Sequence, residues 1–324
     1  MNRMKDRFVA GLLLCGALLA VGHGEAQAQA YPSKPVHLVV PYAAGGGVDN
    51  VARSVSHQLA ARLKQPVIID NRAGANGNIG ADSVAKAAPD GYTLLVGATF
   101  LAFNRATTKD LAYDSLRDLV PIARVARAPF VLVVPVSLPA KNVAELVAYL
   151  KANADSASYG SVGAGSPGPL IFSRNTGTKA VQVLYKGGAA AMPDLMAGRL
   201  TYMLQTSSEV LPLVLGGKLR ALAVTGTERL KALPNVPTMK EAGVANLELT
   251  GWWGLYAPAK TPPEIIERLS REMQAVLAVP EVVEALAKQS IEPAPMPAAE
   301  FGPFYRNEVQ SYAAMVKEFN IVVE

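Results

Sequence analysis

Apolar positions along this chain recur with two spacings. Unbroken runs at 37–40, 67–69 and 94–96 have the length and branched aliphatic content of strands buried on both faces, whereas Val51, Val55, Leu59 and Leu63 return every fourth residue and predict a helix with one buried stripe. A run at 130–134, bounded by Pro129 and Pro135, opens a second stretch of the same alternation: helix 143–151, strands 158–160 and 181–184, helix 189–197, strands 200–204 and 219–224. Three helices then close the chain, entering near Pro262, Pro280 and Ala298, where proline or a cap residue marks the first turn. The pattern predicts an α/β fold on a parallel or mixed sheet, in two neighbourhoods of similar build.

The sharpest local signal lies where the first run ends. Val36 to Val40 leads into Pro41-Tyr42-Ala43-Ala44-Gly45-Gly46-Gly47-Val48-Asp49, which reads as a strand, a glycine loop and a helix start. Glycine tolerates positive φ and lets backbone amides approach a ligand, and the helix opening near Asp49 adds the positive end of its dipole, so the junction suits an anion. It lacks the Lys and Ser/Thr of a Walker-type loop and the G-x-G-x-x-G spacing of a dinucleotide fold, which favours a carboxylate. Tyr159-Gly160-Ser161-Val162-Gly163-Ala164-Gly165-Ser166-Pro167-Gly168 and Tyr185-Lys186-Gly187-Gly188 repeat the design in the second neighbourhood. Ligands of open α/β sheets sit beyond the carboxyl ends of strands, so the two sets of loops predict a cleft with a ligand clamped between them.

Each candidate has a structural alternative. Gly45, Gly46 and Gly47 form either an anion loop or a tight turn, and Asp49 either caps the helix or accepts a bond from a ligand hydroxyl or amino group. Asn76 and Gly77 precede a helix over 79–86 and either extend the anion site or close a capped turn. Ser161 and Ser166 either donate to an oxyanion or bond within their own loop. Thr99, Gln205 and Thr206 follow strands and are candidate polar lining, the Gly187 amide is a candidate contact, and Met192 and Met196 are assigned to the core.

Composition narrows the function. Arg3, Lys5 and Arg7, the apolar stretch 8–19 and Ala28-Gln29-Ala30 before Tyr31 have the build of a signal peptide over 1–30, so the mature protein is expected in the periplasm. Cys15, the only cysteine, lies inside it, which leaves the mature chain without disulfides, thiol nucleophiles or thiolate metal sites. The whole chain carries 31 Lys and Arg against 26 Asp and Glu, scattered and without aromatic interleaving, so nucleic acid is not an expected partner and an anionic small molecule is. His37 and His57 lack metal-ligand spacing, and neither Ser161 nor Ser166 fits the G-x-S-x-G elbow. No enzyme, metal or cofactor is expected.

The motifs, taken in order, resemble one family. Pro41 to Asp49, Asn71-Arg72-Ala73-Gly74-Ala75-Asn76-Gly77-Asn78-Ile79-Gly80, Gly163-Ala164-Gly165-Ser166, Tyr185-Lys186-Gly187, Val236-Pro237-Thr238 with Glu241-Ala242-Gly243, and Trp252-Trp253-Gly254-Leu255-Tyr256-Ala257-Pro258 look like the successive signatures of the Bug family, the extracytoplasmic receptors of tripartite tricarboxylate transporters. The resemblance implies a two-domain type II periplasmic-binding-protein fold, with residues 31–130 and 251–324 in domain 1, 131–250 in domain 2, and a ligand cleft between them. It also implies a monomeric receptor that binds a small carboxylate and engages membrane permease subunits. The carboxylate would be gripped by the loops at Tyr42, Gly45 to Gly47, Asp49, Asn76 and Gly77, and read by Gly165, Ser166 and their neighbours. A sensor-kinase receptor and a hydrolase or lyase on the same scaffold are the alternatives. The family's Gly-Ser-x-x-His-Leu loop reads Gly165-Ser166-Pro167-Gly168-Pro169-Leu170 here, and Pro169 in the histidine's place implies a more apolar subsite, favouring monocarboxylates or aromatic acids over citrate-like ligands, unless position 169 faces away from the cleft.

Overall fold

The first apolar run forms strand β1 (Val36–Val40), flanked by β2 (Val67–Asn71) and β3 (Thr93–Ala98). β1 is parallel to both, in registers that pair Val36 with Val67 and Leu38 with Leu94. Val36, Leu38, Val39 and Val40 are wholly buried, because helices cover both faces of such a sheet. Helix α1 (Gly47–Leu63) buries Val51, Val55, Leu59 and Leu63, the stripe that the spacing predicts. The computed structural model describes residues 31–162, 167–185 and 187–319, and the chain from Lys34 onward packs as one compact unit. The predicted signal peptide with Cys15, the loop residues Gly163, Ala164, Gly165 and Ser166, and Lys186 lie outside the described residues.

A 3-10 turn (Ala75–Gly77) and helix α2 (Asn78–Ala85) follow β2, and α3 (Phe100–Thr107) follows β3. Strand β4 (Leu119–Pro135) then runs through both halves of the architecture. Up to Pro129 it pairs antiparallel with β9 (Thr250–Pro258) and, from Ala123 to Arg127, with β10 (Glu292–Pro297); from Phe130 it pairs with β7 (Tyr202–Thr206), and from Val131 with β8 (Leu219–Val224). β5 (Ser158–Val162) lies parallel to β7 and to the edge strand β6 (Val181–Tyr185). The ten strands thus run β2-β1-β3-β9-β4-β7-β5-β6, with β8 and β10 also on β4.

The sequence pattern places the run at 130–134 as a fresh strand; it is instead the last third of a long one. Pro129 reads as a boundary of that run, but it sits inside the strand where β4 changes partner, and Pro121 sits at a register shift, positions that tolerate a missing N–H. Helices α4 (Val143–Ala152), α6 (Gly188–Met196), α8 (Pro263–Leu277), α9 (Pro280–Ala287) and α10 (Ala298–Phe319) match the predicted segments, while α3, α5 (Pro167–Thr176) and α7 (Ser207–Leu215) are additional.

One aromatic cluster anchors β9. Trp252 meets Phe301, Phe304 and Tyr305 of α10 edge to face, and its Nε1 donates to Glu308 Oε2 at 2.8 Å. Burial pushes the Glu308 carboxyl above its ordinary pKa despite that bond. Gly254, two residues on, has no room for a side chain, since a Cβ there would collide with the Phe301 ring and lie 3.2 Å from the Ala123 carbonyl. Gly254→Ala is therefore expected to cost about 1–3 kcal/mol in urea unfolding. Combined with Phe301→Leu it should cost less than the two changes added separately; strict additivity would contradict the collision.

Candidate functional site

A cavity of about 320 Å³ opens beyond the carboxyl ends of β1, β3, β6 and β7, with the amino end of β9 closing its floor. Its wall brings together Tyr42, Gly46, Gly47, Asn76, Thr99, Gly187, Gln205 and Thr206, all candidates from the sequence. Gly45, Asp49, Gly77 and Ser161 are not part of the wall, and Gly165 and Ser166 lie outside the described residues. Ser161 is buried inside β5, between β6 and β7.

The glycine run divides its roles. Helix α1 starts at Gly47, two residues before Asp49, so the cap residue is Gly46, in extended backbone with φ −80° and ψ 170°. Positive φ belongs to Gly45 alone of the three, at +83°. Asp49 is consequently not the helix cap: its buried carboxylate reaches back to accept from the Gly45 amide at 2.9 Å, from Arg53 at 2.7 and 3.1 Å and from Asn71 at 3.0 Å. Burial alone would raise its pKa, but the bonds from Arg53, Gly45 and Asn71 outweigh it and hold the carboxyl below the ordinary aspartate value. Its charge is spent on shaping the loop.

The neighbouring loop is fixed by amides. Ala75, Asn76 and Gly77 have φ of +44°, +51° and +85°, a run sustained by side-chain bonds. Asn76 donates to Asn104 Oδ1 at 2.6 Å, Asn104 returns a bond to the Asn76 carbonyl at 2.9 Å, and the Tyr42 hydroxyl donates to Asn76 Oδ1 at 3.1 Å. Burial, with the Tyr113 and Glu209 charges behind it, raises the Tyr42 pKa, so the phenol stays a donor. Thr99 accepts from the Trp252 amide at 3.1 Å, tying β3 to β9 at the cavity floor.

Several wall residues were not candidates. Phe100, Phe103, Phe130, Leu204, Leu249, Trp252 and Trp253 make the wall largely apolar, and Pro169 faces into the cavity. The decisive addition is Glu209, in the first turn of α7. Its Oε1 accepts from the Gly47 amide at 3.1 Å and its Oε2 from Gln205 Nε2 at 2.8 Å. Gly188 leaves it space, since a Cβ there would overlap Glu209 Oε2 and Gln205 Nε2. Desolvation raises the Glu209 pKa, only partly offset by the Gly47 and Gln205 bonds. Among the described residues no Lys, Arg or His lines the cavity; the polar groups it offers are amides, hydroxyls and helix ends. A strand end running into Gln205-Thr206-Ser207-Ser208-Glu209 is the sequence signal for this acid, hidden because α7 carries Pro212 and no clear apolar period.

Comparison with known proteins gives a consistent result. Residues 51–321 match the family described as tripartite tricarboxylate transporter family receptor. Protein BugT of Bordetella pertussis is 34% identical over 323 residues, covering 98% of each chain. Among solved structures, R. palustris Rpa4515 with adipate is 33% identical with a TM-score of 0.87, over 90% of this chain and 99% of that one. MatC (Rpa3494) from Rhodopseudomonas palustris with bound malate is 29% identical with a TM-score of 0.83, over 88% and 100%.

Asp49 supplies a stability test. Because its folded pKa lies below the unfolded value of about 4, its contribution is complete above that value and is lost as pH falls through the folded one. Asp49→Asn should cost about 1–3 kcal/mol at pH 7, and the gap from wild type should narrow in urea unfolding at pH 3. An unchanged gap would contradict the assignment of charge to this loop.

Proposed function

We propose, from the premise that this chain belongs to the tripartite tricarboxylate transporter receptor family, that it is a periplasmic receptor which captures a small carboxylate and delivers it to the membrane permease subunits of such a transporter. The observation that carries this reading is the cavity itself, where glycine-loop residues from both halves of the sheet line one open cavity at which helices α1 and α6 begin. The adipate and malate bound by two structural relatives support a small carboxylate as the ligand class.

In this reading the protein is exported, residues 1–30 are removed, and it acts as a monomer that binds its ligand without chemical change. No helix among the described residues is long and apolar enough to cross a membrane. Residues 31–130 with 251–324 form one lobe and 131–250 the other, an assignment supported by the exchange of β4 partners at Phe130. Ligand entry closes the lobes over the acid. Of the candidate residues, Gly46, Gly47, Asn76, Thr99, Gly187 and Thr206 are the contacts that the cavity supports, together with Gly165 and Ser166 from the family resemblance. Pro169 and the aromatic wall support an apolar far end, hence monocarboxylates or aromatic acids over tricarboxylates.

Calorimetry with a panel of mono-, di- and tricarboxylates tests the reading. At least one acid should bind reversibly and be recovered unchanged, with a micromolar constant equivalent to roughly −8 kcal/mol. No binding, or steady conversion of the ligand, would contradict it; tightest binding to citrate would contradict the apolar far end. Trp252 and Trp253 are the only tryptophans and both border the cavity, so a saturating acid should shift their emission. Identical spectra with and without that acid would place binding elsewhere.

A further inference from the structure

Glu209 is the one acidic residue among the described cavity residues, and it stands where a ligand carboxylate would be received. Its Oε1 occupies the Gly47 amide and its Oε2 is held by Gln205, yet part of its surface stays open to the cavity. A carboxylate has about four acceptor positions, and only two protein donors reach this one through these bonds. Among the described residues, the groups placed beside it are Gly47 from α1, Gly188 from α6, Gln205 from β7 and the Tyr42 phenol, none of them cationic. Burial raises the pKa of this carboxyl, and its two bonds only partly offset that effect.

A ligand that offers a second negative charge beside Glu209 meets repulsion in a poorly solvated space, whereas one that offers a cation meets attraction there. Indole and phenyl faces bordering the same cavity add attraction for an ammonium group and room for an apolar body. We propose that Glu209 determines specificity, selecting a monocarboxylate that bears a protonated amine on the carbon next to its carboxylate and an apolar side chain, and rejecting acids with a second carboxylate at that carbon. The ammonium belongs beside the carboxylate because Glu209, from α7, is hydrogen-bonded to the Gly47 amide of the glycine loop. This inference rests on the carboxylate-receptor reading.

The test uses two matched series that differ only at that carbon: phenylalanine, 3-phenylpropanoate and benzylmalonate, and leucine, 4-methylpentanoate and isobutylmalonate. In calorimetry of the full mature protein at pH 7, the amino acid of at least one series should bind on the order of tenfold tighter than the plain acid, and the diacid most weakly. Glu209→Gln should abolish the amino acid's advantage and tighten the diacid. A plain acid that binds wild type as tightly as its amino acid overturns the proposal. So does a variant that keeps the wild-type ranking, or one that tightens all three alike, which would make Glu209 only a competitor for the Gly47 amide. Circular dichroism checks the variant's fold, and if it fails to fold the wild-type ranking alone decides. Binding of other panel acids without either series overturns this proposal but not the receptor reading; no binding of any acid overturns both.

Discussion

Strand β4 is the constraint on which the rest of the molecule depends. Seventeen residues of one continuous strand carry β9 and β10 on its first part and β7 and β8 on its last, so the two halves of the sheet are joined through a single backbone. Strand pairing fixes where neighbouring strands end, and here it brings the ends of β1, β3, β6 and β7 around one space. The partner exchange at Phe130 needs a residue pair that can leave one ladder and enter another. Pro129 pairs with Thr250 on one side, and the Phe130 amide donates to Thr225 Oγ1 at 2.9 Å on the other. The hydroxyl of Thr225 in turn donates to the Leu249 carbonyl at 2.6 Å, binding the segment that enters β9 to the segment that leaves β8.

Within the cavity, the described wall offers amides, hydroxyls and apolar side chains. Amides at helix ends present fixed partial charges whose cost of orientation is met during folding, and they discriminate by geometry more than by total charge. The loops are made rigid from behind: Asp49 with Arg53 and Asn71 braces one, and Asn104 with Asn76 and Tyr42 braces the other. None of those braces has to touch the ligand to matter for it. Glu209 contributes differently, because it brings a carboxyl group into a largely apolar wall and binds α7 to the start of α1.

Much of the architecture was legible in the residue pattern. The Val51–Leu63 stripe and the runs near 37–40 and 219–224 gave their elements within a residue or two, since burial on one stripe or two faces leaves a clear period. Proline hid the rest. Pro167 and Pro169 open α5, Pro212 sits inside α7, and Pro293, Pro295 and Pro297 belong to β10, where pairing to β4 is irregular. For the site, strand-end glycines announced the loops, but Asp49 and Glu209 could not be told apart by type. Their roles follow from which donors fold back on them, and that is set by distant chain: Asn71 for the first, Gly47 from 162 residues away for the second.

The central proposal is that this cavity receives a carboxylate on the backbone amides of its glycine loops. A crystal structure of the protein with the tightest-binding acid of the panel tests it most directly. The account predicts the carboxylate inside the cavity, within hydrogen-bond distance of amides at the Gly46–Gly47 or Asn76–Gly77 loops, with the lobes closed over it. A carboxylate paired instead to a Lys or Arg at the surface, with the cavity left empty, would contradict it.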